Sequence, residues 1–200
     1  MLHPDTDVRL ISPSIGRGVF ATRHIPKGTV VWVRCALDRR FSPAEVAALP
    51  DASRAQCELY AYVDEAGDSI LCWDGGRYIN HSCDPAMVGA GPDIEIAARD
   101  LAPGDELTCE YGYLNLIRPL ACQCGAANCR GTIGRDDALR IHTERDAQVR
   151  AALALAGALP QLLRTYALDA RAFDALVQGR TAAPSVRDFH VAARTQAARP

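Results

Sequence analysis

Three cysteines fall within eight residues, Cys122-Gln123-Cys124 and then Cys129, with Gly125, Ala126, Ala127 and Asn128 between the last two. A segment this short has no apolar core of its own, so something other than burial must organise it. The small intervening residues suit a tight knuckle with its sulfurs turned inward. Three close thiolates need a fourth ligand to close the tetrahedron of a structural zinc site. Cys83, within Asn80-His81-Ser82-Cys83-Asp84-Pro85, is the best candidate, whereas Cys35, Cys57, Cys72 and Cys109 stand in strand- or helix-like text and read as small buried hydrophobes. The bland alternative is a loop of reduced cysteines without metal. Four thiols would leave no open position for water, which argues for structural rather than catalytic zinc. Bound zinc would contribute roughly 10–16 kcal/mol of apparent binding energy, expressed as folding energy.

The rest of the chain bounds its class. The 200 residues fit one large domain, or one domain with an appendage, and can bury a core. With 22 basic and 24 acidic side chains the formal charge is -2, which argues against a nucleic-acid binder that neutralises many phosphates. The start, Met-Leu-His-Pro-Asp-Thr-Asp, lacks the basic opening and apolar run of a secretory signal. The longest apolar stretch, Ala151 to Leu159, is too short to span a bilayer and runs into Pro160. The expectation is a soluble intracellular protein with no membrane partner and free or metal-bound thiols rather than disulfides. Heavy use of Ala and Arg hints at a GC-rich, bacterial genome, which would place it in the cytoplasm, with secretion as an effector left open.

Short β-rich runs punctuated by turns fill the N-terminal part: Val8 to Ile11, Gly18 to Thr22 and Thr29 to Val33, with Pro26-Lys27-Gly28 as a turn. Ser42-Pro43-Ala44-Glu45 carries an N-cap serine, a proline at the first helical position and a glutamate at the third, predicting a helix over Pro43 to Ala48. A second helix is expected over Ser53 to Tyr60, and strands over Ser69 to Trp73, Ile94 to Ala98 and Glu106 to Glu110. From Asp136 the text turns helical, with Ala147 to Ala156 strongest, Asp169 capping Phe173, Leu176 and Val177, and Ser185 with Asp188 as another capping pair.

Four stretches together resemble the SET-domain protein-lysine methyltransferases. Gly16-Arg17-Gly18-Val19-Phe20-Ala21 is similar to the N-terminal glycine motif, and Arg77 to Pro85 to the asparagine-histidine motif. Arg99 to Thr108, leading into Glu110-Tyr111-Gly112-Tyr113, resembles the catalytic-tyrosine segment. Cys122 to Gly131 resembles the post-SET zinc motif. The match runs over about residues 8 to 133 in the family's order. It implies an α+β, mainly β fold of small curled sheets with a C-terminal segment threaded under a loop. It also implies a SET domain over 1–118 with an insert at about 41–76, a post-SET zinc segment over 119–133, and a helical extension over 134–200.

The implied activity is methyl transfer from S-adenosylmethionine to a lysine amine in a protein substrate such as a histone-like tail, with one structural Zn2+. Tyr111 would be the catalytic residue. The cofactor would be held by Gly16, Arg17, Gly18, Arg77, Asn80, His81 and Tyr111. Tyr60, Cys109 and Tyr113 would line the substrate channel, with Tyr113 as the fallback catalyst, and Cys83, Cys122, Cys124 and Cys129 would bind zinc. Each has a plainer reading: a glycine turn, a core tyrosine, a satisfied polar network, a surface ion pair. The chain departs from the family at Ala86-Met87, where asparagine is common, and at Trp32-Val33-Arg34-Cys35, where an acidic-tyrosine-glycine stretch is common. Cys109 replaces a usual phenylalanine or tyrosine, and the smaller side chain implies higher methylation states. The competing readings are a catalytically silent SET-fold module and a zinc-dependent interaction domain. Oligomeric state is left open.

Overall fold

The structure is a computed structural model that describes residues 1–191. It opens with an antiparallel hairpin of β1 (Thr6–Ser12) and β2 (Gly16–Ala21), in which Gly16 adopts φ +87° to close the turn. The Val-Val-Trp-Val run forms β3 (Val30–Val33), buried at all four positions as β-branched and aromatic residues favour. The insert follows, with β4 (Arg39–Phe41), α1 (Pro43–Ala48), α2 (Asp51–Tyr60), β5 (Tyr62–Val63) and β6 (Ser69–Leu71). The capping box at α1 forms as the sequence predicts: Ser42 accepts from the Glu45 N–H, and Glu45 accepts from the Ser42 N–H. The strand expected over Ser69 to Trp73 forms as β6, and it pairs with β4 and β5, which were not expected, in a three-stranded sheet of order β4-β6-β5. Two- and three-residue strands are too short to show an alternating pattern.

The centre of the molecule consists of β7 (Asn80–His81), β8 (Met87–Gly91), β9 (Ile94–Ala97) and β10 (Thr108–Cys109). β9 lies between β3 and β8, antiparallel to both. β7 and β10 pair in parallel, Asn80 opposite Thr108 and His81 opposite Cys109. That short ladder joins the asparagine-histidine stretch to the tyrosine stretch, which immediately follows β10. The strand expected over Glu106 to Glu110 keeps only its middle, because Tyr111–Tyr113 winds into a 3-10 turn capped by Glu110. Strands β11 (Leu120–Ala121) and β12 (Thr132–Ile133) pair at the base of the cysteine knuckle.

The C-terminal segment contains α3 (Ala138–Ala156) and α4 (Ala170–Val177). α3 begins at Ala138, close to the expected onset of helical text at Asp136 and ahead of the stretch of strongest propensity from Ala147. Its buried stripe is Ala138, Ile141, Arg145, Val149, Ala152 and Ala156, and the arginine interrupts the apolar periodicity that would have revealed it. Asp169 caps α4 as expected, but Ser185 with Asp188 opens only the 3-10 turn Val186–Phe189. Residues 192–200 of the expected extension lie outside the described residues.

This segment is not a separate unit. The central sheet packs one face on Val19, Ile79, Leu101 and Leu107. Its other face, with Val30, Val88 and Ile96, shares a core with Val149, Ala152, Leu163, Phe173 and Leu176. Burying side chains of this size contributes about 1.5–3 kcal/mol each. The approach is close at Gly28, φ +91°, where an added Cβ would lie 2.8 Å from the Ala152 carbonyl oxygen. Within the helical extension expected from residue 134, α3 and α4 thus share a core with the central sheet. Among the described residues no helix is long and apolar enough to cross a membrane.

Candidate active site

Tyr111 stands where the β7–β10 ladder places it, beside the asparagine-histidine stretch. Its hydroxyl donates to the Ile79 carbonyl at 2.7 Å, and its ring lies against His81, centroids 5.4 Å apart and tilted 46°. Burial, reinforced by neighbouring Cys109 and Glu106, raises the phenol well above its ordinary range, so it stays protonated. With its proton committed to Ile79, the oxygen presents lone pairs that can accept from an amine. The Tyr111 N–H donates to His81 Nδ1 at 3.1 Å, which leaves the ring proton on Nε2, 3.4 Å from Cys83 Sγ. Burial pushes the His81 pKa down, favouring this neutral form.

Asn80 Nδ2 donates to the Arg17 carbonyl at 3.0 Å and to Glu106 Oε1 at 2.8 Å. The hairpin turn is thereby tied to β7. Gly18 lies in the same contact: a Cβ there would be 2.6 Å from Glu106 Oε1. Space around Gly16 is open, with nothing within 4 Å of an added Cβ. Arg17 lies over the Tyr78 ring at 5.6 Å. Gly16, Arg17, Gly18, Asn80, His81 and Tyr111 thus form one neighbourhood. Arg77 differs from its expected company: it binds the Asp74 and Trp73 carbonyls and lines a cavity that excludes Asn80 and His81.

The four cysteines singled out in the sequence converge. The ligand atoms of Cys83, Cys122, Cys124 and Cys129 lie within 4.8 Å of one another, with Cys83–Cys122 at 3.9 Å and Cys122–Cys129 at 3.6 Å. A tetrahedral site with Zn–S bonds near 2.3 Å requires sulfurs about 3.8 Å apart, so the set could hold a zinc ion. Burial opposes ionisation of Cys124, but the N–H groups of Cys83 and Ala126 and the neighbouring thiols outweigh it and lower its pKa to about 6. The remaining cysteines, Cys35, Cys57, Cys72 and Cys109, are buried singly.

Between this cluster and Tyr111 lies an ionic hub that the sequence reading missed. Glu110, fully buried, is gripped by Arg130 at 2.9 and 2.6 Å and accepts from the Gly112 N–H at 2.8 Å. Arg145 of α3 reaches 3.4 Å from the same carboxylate and donates to the Cys83 carbonyl at 2.6 Å. Arg130 also approaches Asp137 at 3.4 Å. The strand leading to Tyr111, the cysteine knuckle and the C-terminal helix therefore meet at one carboxylate. The available signal was a charged residue, Arg145, on a helix face that is otherwise apolar.

A cavity of about 450 Å³ opens on the other side of Tyr111, lined by Tyr60, Tyr62, Ile79, Cys109, Tyr111 and Tyr113 among others. Tyr60, Cys109 and Tyr113, the expected channel residues, all belong to its wall. Tyr60 meets Tyr78 edge to face, 5.5 Å between centroids. The Tyr113 hydroxyl donates to Glu95 and accepts from the Gly89 N–H, so it is committed to the core rather than free to act as a second catalyst. Phe189, from the C-terminal segment, packs against Tyr113 and completes part of the wall.

Residues 16–112 match the model of the SET domain family. Relatives of the chain include many histone-lysine N-methyltransferases. ASHH2 of Arabidopsis thaliana is 41% identical over 70 residues, covering 30% of this chain and 4% of that protein. SETD2 of Homo sapiens is 28% identical over 153 residues, covering 70% of this chain and 6% of that protein. The chain thus spans only a small part of these relatives' length. Among solved structures, the methyltransferase domain of human SETMAR aligns with a TM-score of 0.47 at 22% identity, covering 66% of this chain and 58% of that one.

Proposed function

We propose that this chain transfers a methyl group from S-adenosylmethionine to the side-chain amine of a lysine in a protein substrate. The observation that carries this reading is the position of Tyr111. Its ring forms the cavity wall on one side, and on the other it meets the His81 ring and hydrogen-bonds the residue preceding Asn80. The SET domain and the lysine-methylating relatives support it.

S-adenosylmethionine, when bound, supplies an electrophilic methyl group on a positively charged sulfur. Gly16, Arg17, Asn80 and His81 would hold it; Gly16 leaves open space, and the Asn80 side-chain oxygen has no protein partner among the described residues. The amine must be neutral to attack, which for a free lysine of pKa about 10.4 costs about 4.6 kcal/mol at pH 7. The largely apolar cavity lowers that cost by disfavouring the ammonium. The Tyr111 oxygen accepts an amine N–H and so orients the nitrogen lone pair, and that positioning supplies much of the acceleration. Cys83, Cys122, Cys124 and Cys129 would hold a structural zinc that orders the knuckle beside His81 and Glu110. The acceptor class follows from the relatives, whose names specify histone lysines.

The test is incubation of the protein with methyl-labelled S-adenosylmethionine and core histones, with mass spectrometry of the modified residue. Tyr111→Phe is expected to retain cofactor binding and to lose transfer by at least about 100-fold, the usual scale for one oriented catalytic hydrogen bond. Undiminished transfer by this variant would remove Tyr111 from the reaction.

A further inference from the structure

One acid on the cavity wall has no part in the chemistry above. Glu95 lies on β9 opposite Gly89 of β8, only 8% exposed. Its two carboxyl oxygens are 2.9 and 3.1 Å from the Tyr113 hydroxyl, which is itself fixed by the Gly89 N–H at 3.1 Å. Other buried carboxylates here have a cation: Glu110 has Arg130 and Arg145, Asp64 has Arg34 and Arg40, and Asp137 has Arg130. Among the described residues, no basic side chain lies within ion-pair distance of Glu95. Two further groups of the same wall, the Trp32 indole N–H and the Tyr62 hydroxyl, are buried without a hydrogen-bond partner. Buried polar groups are rarely left so, and a cavity wall where several occur together is built for a polar guest.

Burial pushes the Glu95 acid up to about 8, so it is mostly neutral while the cavity holds no cation. Bringing a positive charge alongside reverses that balance, since an adjacent cation favours the ionised carboxylate. The guest that satisfies Glu95 is therefore an alkylammonium, whose N–H groups the Tyr62 hydroxyl oxygen can also accept, whereas the Trp32 N–H, a donor only, is not served by it.

We propose that Glu95, held by Tyr113, accepts an N–H of the substrate lysine and thereby sets which methylation states the cavity admits. This rests on the lysine-methyltransferase reading and goes further by assigning the residue that recognises the nitrogen. On entry of the ammonium the carboxyl proton leaves to solvent and a charge-assisted hydrogen bond forms. Passage of that bridging proton to the Glu95 carboxylate then leaves the amine neutral for attack and the acid again in the neutral form that burial favours. An ammonium offers three N–H donors, its monomethyl form two and its dimethyl form one. Cys109 leaves volume for added methyls, but each methyl removes a donor from Glu95. Recognition therefore weakens stepwise from lysine to dimethyl-lysine, even where space allows all three.

The competing explanation is that Glu95 and Tyr113 merely tie β9 to the 3-10 turn. Glu95→Gln separates the two. The amide oxygen still accepts from Tyr113, so the fold is kept, but no charge can develop. In the first experiment n-butylammonium and 1-butanol, equal in shape, are titrated into the protein at pH 7.5 and followed by the fluorescence of Trp32 on the cavity wall. The wild type is expected to prefer the amine about tenfold, the size of one charge-assisted hydrogen bond, and Glu95→Gln to lose that preference. An equal preference in both proteins, or none in the wild type, overturns the proposal. In the second, core-histone-tail peptides carrying lysine, monomethyl-lysine or dimethyl-lysine are compared by kcat/KM. The wild type should fall along that series, and Glu95→Gln and Glu95→Leu should flatten it. A uniform loss on all three peptides would mean a structural role. If no peptide is methylated but the amine preference is present and vanishes in Glu95→Gln, the transfer reading fails while cation recognition stands.

Discussion

Replacing Arg145 with methionine tests whether the C-terminal helix belongs to the active site or merely accompanies it. Arg145 is 1% exposed. It donates to the Cys83 carbonyl at 2.6 Å, approaches Glu110 at 3.4 Å, and binds Glu144 and Gln148 at 3.0 and 2.8 Å. Methionine fills the space of the arginine stem but removes the guanidinium. Removing one member of a buried ion pair costs about 3–5 kcal/mol when the other is left uncompensated. Here Glu110 keeps its two-pronged contact with Arg130, and the Cys83 carbonyl keeps a donor in Asn128 at 3.2 Å. The loss should therefore be smaller, about 2–3 kcal/mol. Urea unfolding of the zinc-loaded protein would read it as a midpoint shift of roughly 1 M, given slopes of about 1–3 kcal/mol per molar for small proteins. Arg145→Lys should recover only part, because an ammonium cannot reproduce the planar fork. Because Glu110 directly precedes Tyr111, kcat for methyl transfer should fall more than KM rises. A change in stability within about 0.5 kcal/mol, the scale of an ordinary surface substitution, would refute the hub as the link between helix, knuckle and tyrosine.

Two further outcomes follow from the buried ionisable groups. Chelation of zinc from the loaded protein should release one ion per chain and abolish hydrogen-exchange protection of the knuckle amides, such as the Cys122 N–H that donates to Gly131; protection that survives chelation would mean that packing alone orders the loop. Glu95 also gives stability a pH slope of known sign: its folded pKa, about 8, lies above the ordinary 4.5, so the unfolded chain ionises first and stability falls as pH rises between those values. That loss is at most roughly 5 kcal/mol and is absent in Glu95→Gln, so the variant should gain on the wild type between pH 5 and pH 8.5 in urea titrations. A gap that does not widen by at least about 1 kcal/mol would contradict the burial of a lone acid.

The legible parts of this chain were those in which local chemistry and spacing suffice. Ser42 and Glu45 had to form a cap because both partners lie within one turn. Cys122, Cys124 and Cys129 had to meet because a short loop holds them together, and Cys83 joined them because its motif is the partner of the knuckle in the resembling family. Tyr111, Asn80 and His81 were identified by motif, and the parallel pairing of β7 with β10 explains why two stretches so distant along the chain stand side by side.

What the sequence concealed was decided by long-range packing. Arg145 reads as an ordinary helix-surface charge until α3 is laid over the sheet and the side chain reaches the Cys83 carbonyl. Glu95 reads as one acid between two isoleucines until the cavity forms beside it and Tyr113 takes hold of it. Burial and ion pairing are properties of the assembled core, and no residue type or spacing encodes them in advance. Motif and local spacing thus determined the candidate site residues and the converging thiols of this protein, whereas only tertiary structure decided which charges would be enclosed with them, since enclosure depends on every element that closes around the site.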